Sequence, residues 1–309
     1  MTLTTPDNYS PELQKLSSDI KPGKTLLLTK HGYFLAINHD VMVSLSLIKY
    51  GELNELEWEL MKPFIKPEMV VVDAGAHLGT FLVPIARRIG PKGKVIGFEP
   101  QPVIHESLIS AISLNKITNA DIHNCCIGNS NDALEIDEPD YTRIGHFSGL
   151  PFQEDYNDVR ITGKKLQSRI ERLDDVFHEP RLDFIKIDVE GMEKDVLLGA
   201  RESIMKFRPV MFIENNRRDK SSALNKLVLD MGYRIWWHTG RIFNPDNHNR
   251  CDENVFGKMS NINVLCVPRE RGDAEVPKGL IECTDAHHTI MHIDGSVVAS
   301  IADYEPRLD

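Results

Sequence analysis

Four acidic side chains and one imidazole stand where alternating strands and helices would gather them. Asp73 closes the apolar run Val70-Val71-Val72, just before the turn Gly75-Ala76-His77-Leu78-Gly79-Thr80. Glu99 follows Gly97-Phe98 at the end of the next apolar run, 26 residues beyond Asp73, and Pro100 follows it. Asp188 ends Ile185-Lys186-Ile187, Glu214 and Asn215 end Met211-Phe212-Ile213, and His238 follows Trp236-Trp237. In an open parallel sheet, ligands bind outside the carboxyl ends of the strands. The pattern therefore implies a nucleotide pocket with proton acceptors on its opposite wall.

The turn says which nucleotide to expect. A dinucleotide pattern needs a second glycine two residues after the first, so that backbone can approach a pyrophosphate. His77 stands there instead, and a carboxylate at the strand tip, Asp73, would repel phosphate. A carboxylate at that tip suits an ammonium or sulfonium group. S-adenosylmethionine carries both, together with a ribose diol that Glu99 could hold by two charge-assisted hydrogen bonds. The competing readings are that Asp73 merely caps a helix and Gly75 merely turns the chain, or that the fold is an NAD-dependent dehydrogenase. His77 and Asp73 speak against the second.

The elements that would position these residues read as follows. Strands are expected at 69–73, 94–99, 121–125, 183–188, 209–214, 233–238 and 262–267, and helices at 79–89, 102–115, 192–206 and 219–231. Short apolar runs separated by amphipathic helices imply right-handed crossovers and an α/β doubly wound, seven-stranded, mostly parallel sheet. Residues 1–68 form an N-terminal extension. In it, Thr25–Lys30 and Tyr33–Asn38 make a hairpin about His31-Gly32, Leu45–Gly51 ends in a turn, and a lead-in helix runs from Glu55 to Lys66. The main domain spans 69–268, interrupted at about 128–165 by a polar insertion of one or two hairpins, closed by a Ser168–Phe177 helix. Such insertions often act as lids that set substrate choice. The tail, 269–309, begins as a charged linker and holds β-like stretches at 287–293 and 296–301 about Asp294-Gly295, an added hairpin or a homo-oligomer contact.

Three segments carry a resemblance. Val71-Val-Asp-Ala-Gly-Ala-His-Leu-Gly-Thr-Phe81, Gly97-Phe-Glu-Pro100 and Ile185-Lys-Ile-Asp-Val-Glu-Gly-Met-Glu193 are similar to the motifs of the FkbM-type S-adenosylmethionine-dependent methyltransferases, and Lys49–Glu55 resembles that family's entry segment. The resemblance covers about residues 45–267; the N-terminal hairpin and the tail lie outside it. It implies a class I, Rossmann-like methyltransferase fold and O-methylation, commonly of sugars or other natural-product hydroxyls. It further implies that Gly75, Ala76, Gly79 and Thr80 shape the cofactor turn, that Asp73 faces the methionine end, that Glu99-Pro100 hold the ribose, and that Cys126 and Ile127 lie beside the adenine. His77 departs from the pattern, since relatives usually carry a small polar residue there.

Methyl transfer to oxygen requires alignment of donor and acceptor and removal of a hydroxyl proton. Asp188, Glu214 and His238 are the candidates for this work, and Asp188 could instead position the methyl donor. Glu190 and Glu193 could act too, or could simply favour a helix N-terminus. Asp188, Glu214 and Asn215 together could offer oxygens to Mg²⁺, as in metal-dependent catechol-type methyltransferases. The Asn244–Arg250 loop could bind sugar hydroxyls, and one of Trp236 and Trp237 could stack on a sugar ring.

Composition bounds the partners. The chain has 309 residues, 41% of them hydrophobic, with 36 Lys and Arg against 46 Asp and Glu, a net charge of −10. Acid without basic clusters argues against nucleic acid. Five cysteines without a C-x-x-C pair imply no disulfide framework and a reducing, cytoplasmic setting. No apolar run of about 18 residues suggests a transmembrane segment. The expectation is a cytoplasmic enzyme acting on a small-molecule or glycan acceptor. The alternatives are methylation of a non-sugar natural product and a non-catalytic cofactor-fold binding protein.

Overall fold

The computed structural model describes residues 23–148, 161–272 and 276–287. Strands β1 (Lys24–Thr29) and β2 (Gly32–Ile37) form the expected antiparallel hairpin. Val43–Tyr50 is helical (α1), not just the approach to a turn, and ends at Gly51, whose φ of +69° caps the last carbonyls. Helix α2 (Glu55–Met61) follows and runs through a 3₁₀ turn, Lys62–Phe64, towards the first strand of the main sheet.

From there β3 (Val70–Ala74), α3 (Leu82–Ile89), β4 (Lys94–Phe98), α4 (Pro102–Leu114) and β5 (Ala120–His123) alternate. After β6 (Cys126–Ile127) the rhythm breaks. Strands β7 (Asp132–Pro139) and β8 (Ile161–Glu171) form a long antiparallel hairpin that joins β6 in a three-stranded sheet. The helix expected at 168–177 is overturned here. Ser168 to Glu171 continue β8, where β7 satisfies their backbone, and only one turn, α5 (Leu173–Val176), remains helical. Then come β9 (Phe184–Ile187), α6 (Glu193–Gly199), α7 (Arg201–Phe207), β10 (Val210–Glu214), α8 (Arg218–Asp230), β11 (Tyr233–Arg241), β12 (Ser260–Pro268) and β13 (Ile281–Cys283). The helix expected at 192–206 is two helices, broken at Ala200. Gly199 lies so close to the Gly128 carbonyl that a Cβ would meet its oxygen at 1.8 Å.

The main sheet has the order β13-β11-β12-β10-β9-β3-β4-β5. β10, β9, β3, β4 and β5 are parallel neighbours, and β12 runs antiparallel between β10 and β11. The seven expected strands are all present. An eighth, β13, pairs with β11 and anchors part of the tail. The β-like stretches expected at 287–301 lie outside the described residues, apart from His287.

Helices cover both faces. One core packs Val72, Ile185 and Ile213 against α6, α7 and α8 through Val196, Ile204 and Leu224. The other packs Val71, Phe184 and Phe212 against α2 and α3 through Trp58, Met61, Leu82 and Ile85. Side chains alternate along a strand, so Asp73, Lys186, Glu214, His238 and Asn263 all project to this second face. Where α2 and α3 part at the carboxyl edge, that polar row reaches a cleft.

Candidate functional site

The turn after β3 is built by close packing. Gly75, with φ +84°, stands so near β9 that a Cβ would come within 1.8 Å of the Asp188 carbonyl oxygen. Gly75 and Ala76 both donate backbone N–H bonds of 3.0 Å to the Phe98 carbonyl, and Asp188 donates one of 3.0 Å to Ala74. The turn is thus tied to the strand tips on either side. His77 is in the left-handed region with φ +48°, which costs a non-glycine residue free energy.

Glu99 is buried at the tip of β4, its oxygens receiving the backbone N–H of His77 at 3.0 Å and of Gln101 at 2.9 Å. Burial pushes its carboxyl up to about 7, against those two bonds. Each oxygen keeps a further lone pair for a ligand.

Two compartments meet at this edge. The smaller, about 460 Å³, is lined by Phe98, Glu99, Pro100, Gln101, Cys126, Ile127 and Met192. The larger, about 1140 Å³ and open to solvent, is lined by Ala76, His77, Thr80, Phe81, Lys186, Glu214 and residues of the N-terminal extension, among them Leu53 and Glu57. Gly75, Glu99, Ser148, Asp188 and Glu190 belong to both walls. The insertion contributes one side. Gly145 pairs with Asp40, Gln101 donates to the Phe147 carbonyl at 2.8 Å, and Tyr141 donates to Gln101 at 2.8 Å, holding His146 and Ser148 at the cleft.

Asp73 corrects the expectation that it faces a cationic ligand. It is fully buried, borders neither compartment, and its counter-cation is Lys186 on the neighbouring strand, 3.4 Å from Oδ1. Lys186 lies 3.4 Å from Asp188 Oδ2 as well, and its ammonium rests 5.1 Å from the centroid of the Phe81 ring. Held between two carboxylates, Lys186 stays charged, its pKa raised despite burial. Burial pushes Asp73 upward while Lys186 pulls it down.

Asp188, Glu190 and Glu214 converge, with a carboxylate oxygen from each within 4.8 Å of the others. Glu190, with φ +54°, pairs with Arg217 at 3.1 Å. Burial, then the Asp188 charge, pushes Glu190 up to about 7, with Arg217 opposing. Glu214 is raised further by burial and by its three acidic neighbours, Glu190, Asp188 and Glu193. One of its oxygens accepts from Asn216 at 2.6 Å and the other has no partner among the described residues. Glu193 turns inward to the Gly191 N–H at 2.7 Å, at the start of α6.

Several expected residues lie elsewhere. Asn215 is buried behind the cleft, donating to Asn225 of α8 at 2.9 Å, so Glu190 stands where Asn215 was expected. His238 is not at a strand tip, because β11 continues to Arg241. It is buried 5.9 Å from the Phe212 ring and borders neither compartment. Burial lowers its pKa to about 4. Trp236 and Trp237 are buried in the two cores and stack on nothing in the cleft. The Asn244–Arg250 loop is bound back on α1, through Asn244 to Glu52 at 2.7 Å and Asn249 to the Tyr50 carbonyl at 3.0 Å. All five cysteines are free. Burial pushes Cys125 to about 12 and Cys126 to about 11, so these thiols remain protonated.

Sequence reasoning missed Lys186, Glu57 and the asparagines Asn261 and Asn263. A lysine in an otherwise apolar strand was the available signal for the first. Glu57 had none, since it lies on a helix read only as a lead-in.

A family model described as the Methyltransferase FkbM domain matches residues 73–235. The AMB antimetabolite synthetase AmbE of Pseudomonas aeruginosa is 26% identical over 233 residues, covering 59% of this chain and 11% of the synthetase. Methyltransferase 1 of Beauveria bassiana is 26% identical over 42% of this chain and 57% of its own length. Methyltransferase sdnD of Sordaria araneosa is 29% identical over 43% and 60% respectively. The chain therefore spans 60% or less of these curated relatives. Among solved structures, the methyltransferase FkbM of Methylobacillus flagellatus is 18% identical with a TM-score of 0.42, over 82% of this chain and 58% of that one. A precorrin-6y C5,15-methyltransferase of Geobacter metallireducens is 12% identical with a TM-score of 0.43, over 69% and 87%.

Proposed function

The chain belongs to the FkbM methyltransferase family, and from that premise we propose that it methylates a hydroxyl of a sugar or glycoconjugate with S-adenosylmethionine. The observation that carries the reading is Glu99, a buried carboxylate with lone pairs to spare, at the wall between a small compartment and an acidic cleft. Its neighbours suit the cofactor. Cys126, Ile127, Phe98 and Met192 offer apolar surface for an adenine, Glu99 accepts from a ribose diol, and Gly75 leaves the turn open beside Asp188. When bound, the cofactor supplies a methyl group already activated on a sulfonium centre.

The chain's own task is alignment and proton removal. Alignment of this kind contributes roughly 7–11 kcal/mol. Asp188 is the residue to receive the acceptor's proton or to fix its hydroxyl. It borders both compartments, and its side chain is more open than that of Glu190. Lys186 holds Asp188 in place. Glu214 and Glu190, with raised pKa values, stand by as proton acceptors. The carboxylates of Asp188, Glu190 and Glu214 also form a hard-oxygen set that Mg²⁺ would accept, where the ion would lower the pKa of a hydroxyl. A natural-product acceptor other than a sugar is the second reading, favoured by the match to an antimetabolite synthetase.

Calorimetry tests the premise. S-adenosylmethionine is expected to bind and NAD is not, and absence of S-adenosylmethionine binding overturns the reading. Asp188→Asn is expected to abolish turnover with an unchanged unfolding transition, and near-wild-type activity would refute its role. If Mg²⁺ takes part, chelation removes activity and Mg²⁺ restores it; an unchanged rate leaves the carboxylates acting alone. Cofactor binding without turnover on any hydroxylated acceptor would point to a binding protein.

A further inference from the structure

Helix α2 buries two glutamates, and glutamate is almost never fully buried without a partner. Glu55 is accounted for, with Lys30 at 3.0 Å and His31 at 2.8 Å. Glu57 forms no ion pair with the described residues, and Lys186 acts on it only from a distance. Glu57 is 3% exposed, and its Oε1 accepts from Asn261 at 2.8 Å and Asn263 at 3.1 Å, both side chains of β12. Oε2 takes no hydrogen bond from the described residues, yet it is not sealed off, because Glu57 borders the large cleft. One oxygen is clamped, and the other stands free to accept a hydrogen bond from a group in the cleft.

The rest of the cleft limits what the ligand is. The cleft that Glu57 borders is also lined by Asp188, Glu190 and Glu214. The cations near them are already engaged, Lys186 with Asp73 and Asp188, and Arg217 with Glu190. An anionic group entering here meets carboxylates and no unengaged ammonium or guanidinium among the described residues that border the cleft.

We propose that Glu57 selects the acceptor. Its open Oε2 receives a hydrogen-bond donor of the acceptor, a hydroxyl or an ammonium, and acceptors that bring a carboxylate or phosphate into the cleft are turned away. This rests on the methyltransferase reading and adds a residue and an acceptor class to it. The N-terminal extension thereby becomes part of the substrate site. Asn261 and Asn263 are positioning residues, aiming the carboxylate through Oε1.

The experiment compares methyl transfer from labelled S-adenosylmethionine to glucose, glucosamine, glucuronic acid and glucose 6-phosphate, with cofactor binding and thermal unfolding measured in parallel. Glucose or glucosamine is expected to be methylated, with kcat/KM at least about tenfold above that of either anionic sugar. Glu57→Gln is expected to raise KM about tenfold or more while kcat, cofactor Kd and, at pH 6, unfolding stay close to wild type. Glu57→Asp should recover part of that loss, which a merely structural side chain would not do. Glu57→Lys, where it folds, should shift preference towards the anionic sugars.

An unchanged KM in Glu57→Gln overturns the assignment, as does equal use of the anionic sugars. A wild-type protein that binds the cofactor yet methylates none of the four overturns it as well. A wild-type protein that binds no S-adenosylmethionine fails the methyltransferase reading first, and the acceptor assignment falls with it.

Discussion

Lys186 shows how one side chain can rewrite the role of its neighbours. Two carboxylates, Asp73 and Asp188, lie 3.4 Å from its ammonium, and it is 4% exposed at the side chain. Asp73 therefore serves the strand core, and Asp188 is the member of the pair that reaches the cleft. Removing the cation leaves the buried Asp73 charge without its partner, so Lys186→Met is expected to lower unfolding free energy by roughly 3–5 kcal/mol in urea titrations. The Lys186→Met, Asp73→Asn double variant should lose less than the sum of its singles. Glu99 makes a second prediction. Its carboxyl is pushed up to about 7, and the ionised form is the better acceptor for a diol. Cofactor affinity should therefore rise between pH 6 and pH 8. Glu99→Gln should weaken binding about tenfold at pH 8 and flatten the dependence, as calorimetry across that range would show.

At the scale of elements, the site depends on strand tips brought into register by glycine turns. A methyl at Gly75 would overlap the Asp188 carbonyl, so Gly75→Ala is expected to abolish cofactor binding and lower the melting temperature, whereas Gly163→Ala, with open space around it but a φ of +80°, should leave cofactor binding unchanged and cost only backbone strain. Restored binding in Gly75→Ala would contradict the packing argument. The same reasoning explains what sequence periodicity could not provide. The break between α6 and α7 follows from the approach of Gly199 to Gly128, which is distant in sequence. Residues from Ser168 onward read as the start of a helix until β7 is present to pair with β8. Helix α2 was legible as a helix from Leu56, Leu60 and Phe64, but the destination of Glu57 depends on β12, some 200 residues later.

For the whole molecule, the accumulation of acids on one sheet face makes stability depend on pH. Glu57, Glu99, Glu190 and Glu193 are all raised from 4.5 to about 7, chiefly by burial. A carboxyl raised in the folded state contributes fully below its unfolded pKa, and that contribution is lost as pH rises through the folded value. His77 and His238, lowered from 6.5 to about 4 by burial, act in the opposite sense, losing stability as pH falls below 6.5. The ligand-free protein should thus melt at lower temperature at pH 8 than at pH 6. Glu57→Gln should make that fall shallower, and an unchanged slope in scanning calorimetry would count against the burial of its charge.

The sequence by itself determined the α/β alternation, the glycine turn, Glu99 at the second strand tip and the membership that these motifs signal. All of these are local patterns, set by backbone geometry and strand periodicity. Tertiary structure alone decided which acids reach the cleft. It paired Asp73 with Lys186, sent Asn215 and His238 into the interior, and brought Glu190 and the remote Glu57 to the cleft. The physical reason is that a side chain's charge partners come from neighbouring strands and from the helix laid over them, and those neighbours are fixed by sheet order, which no window of residues contains.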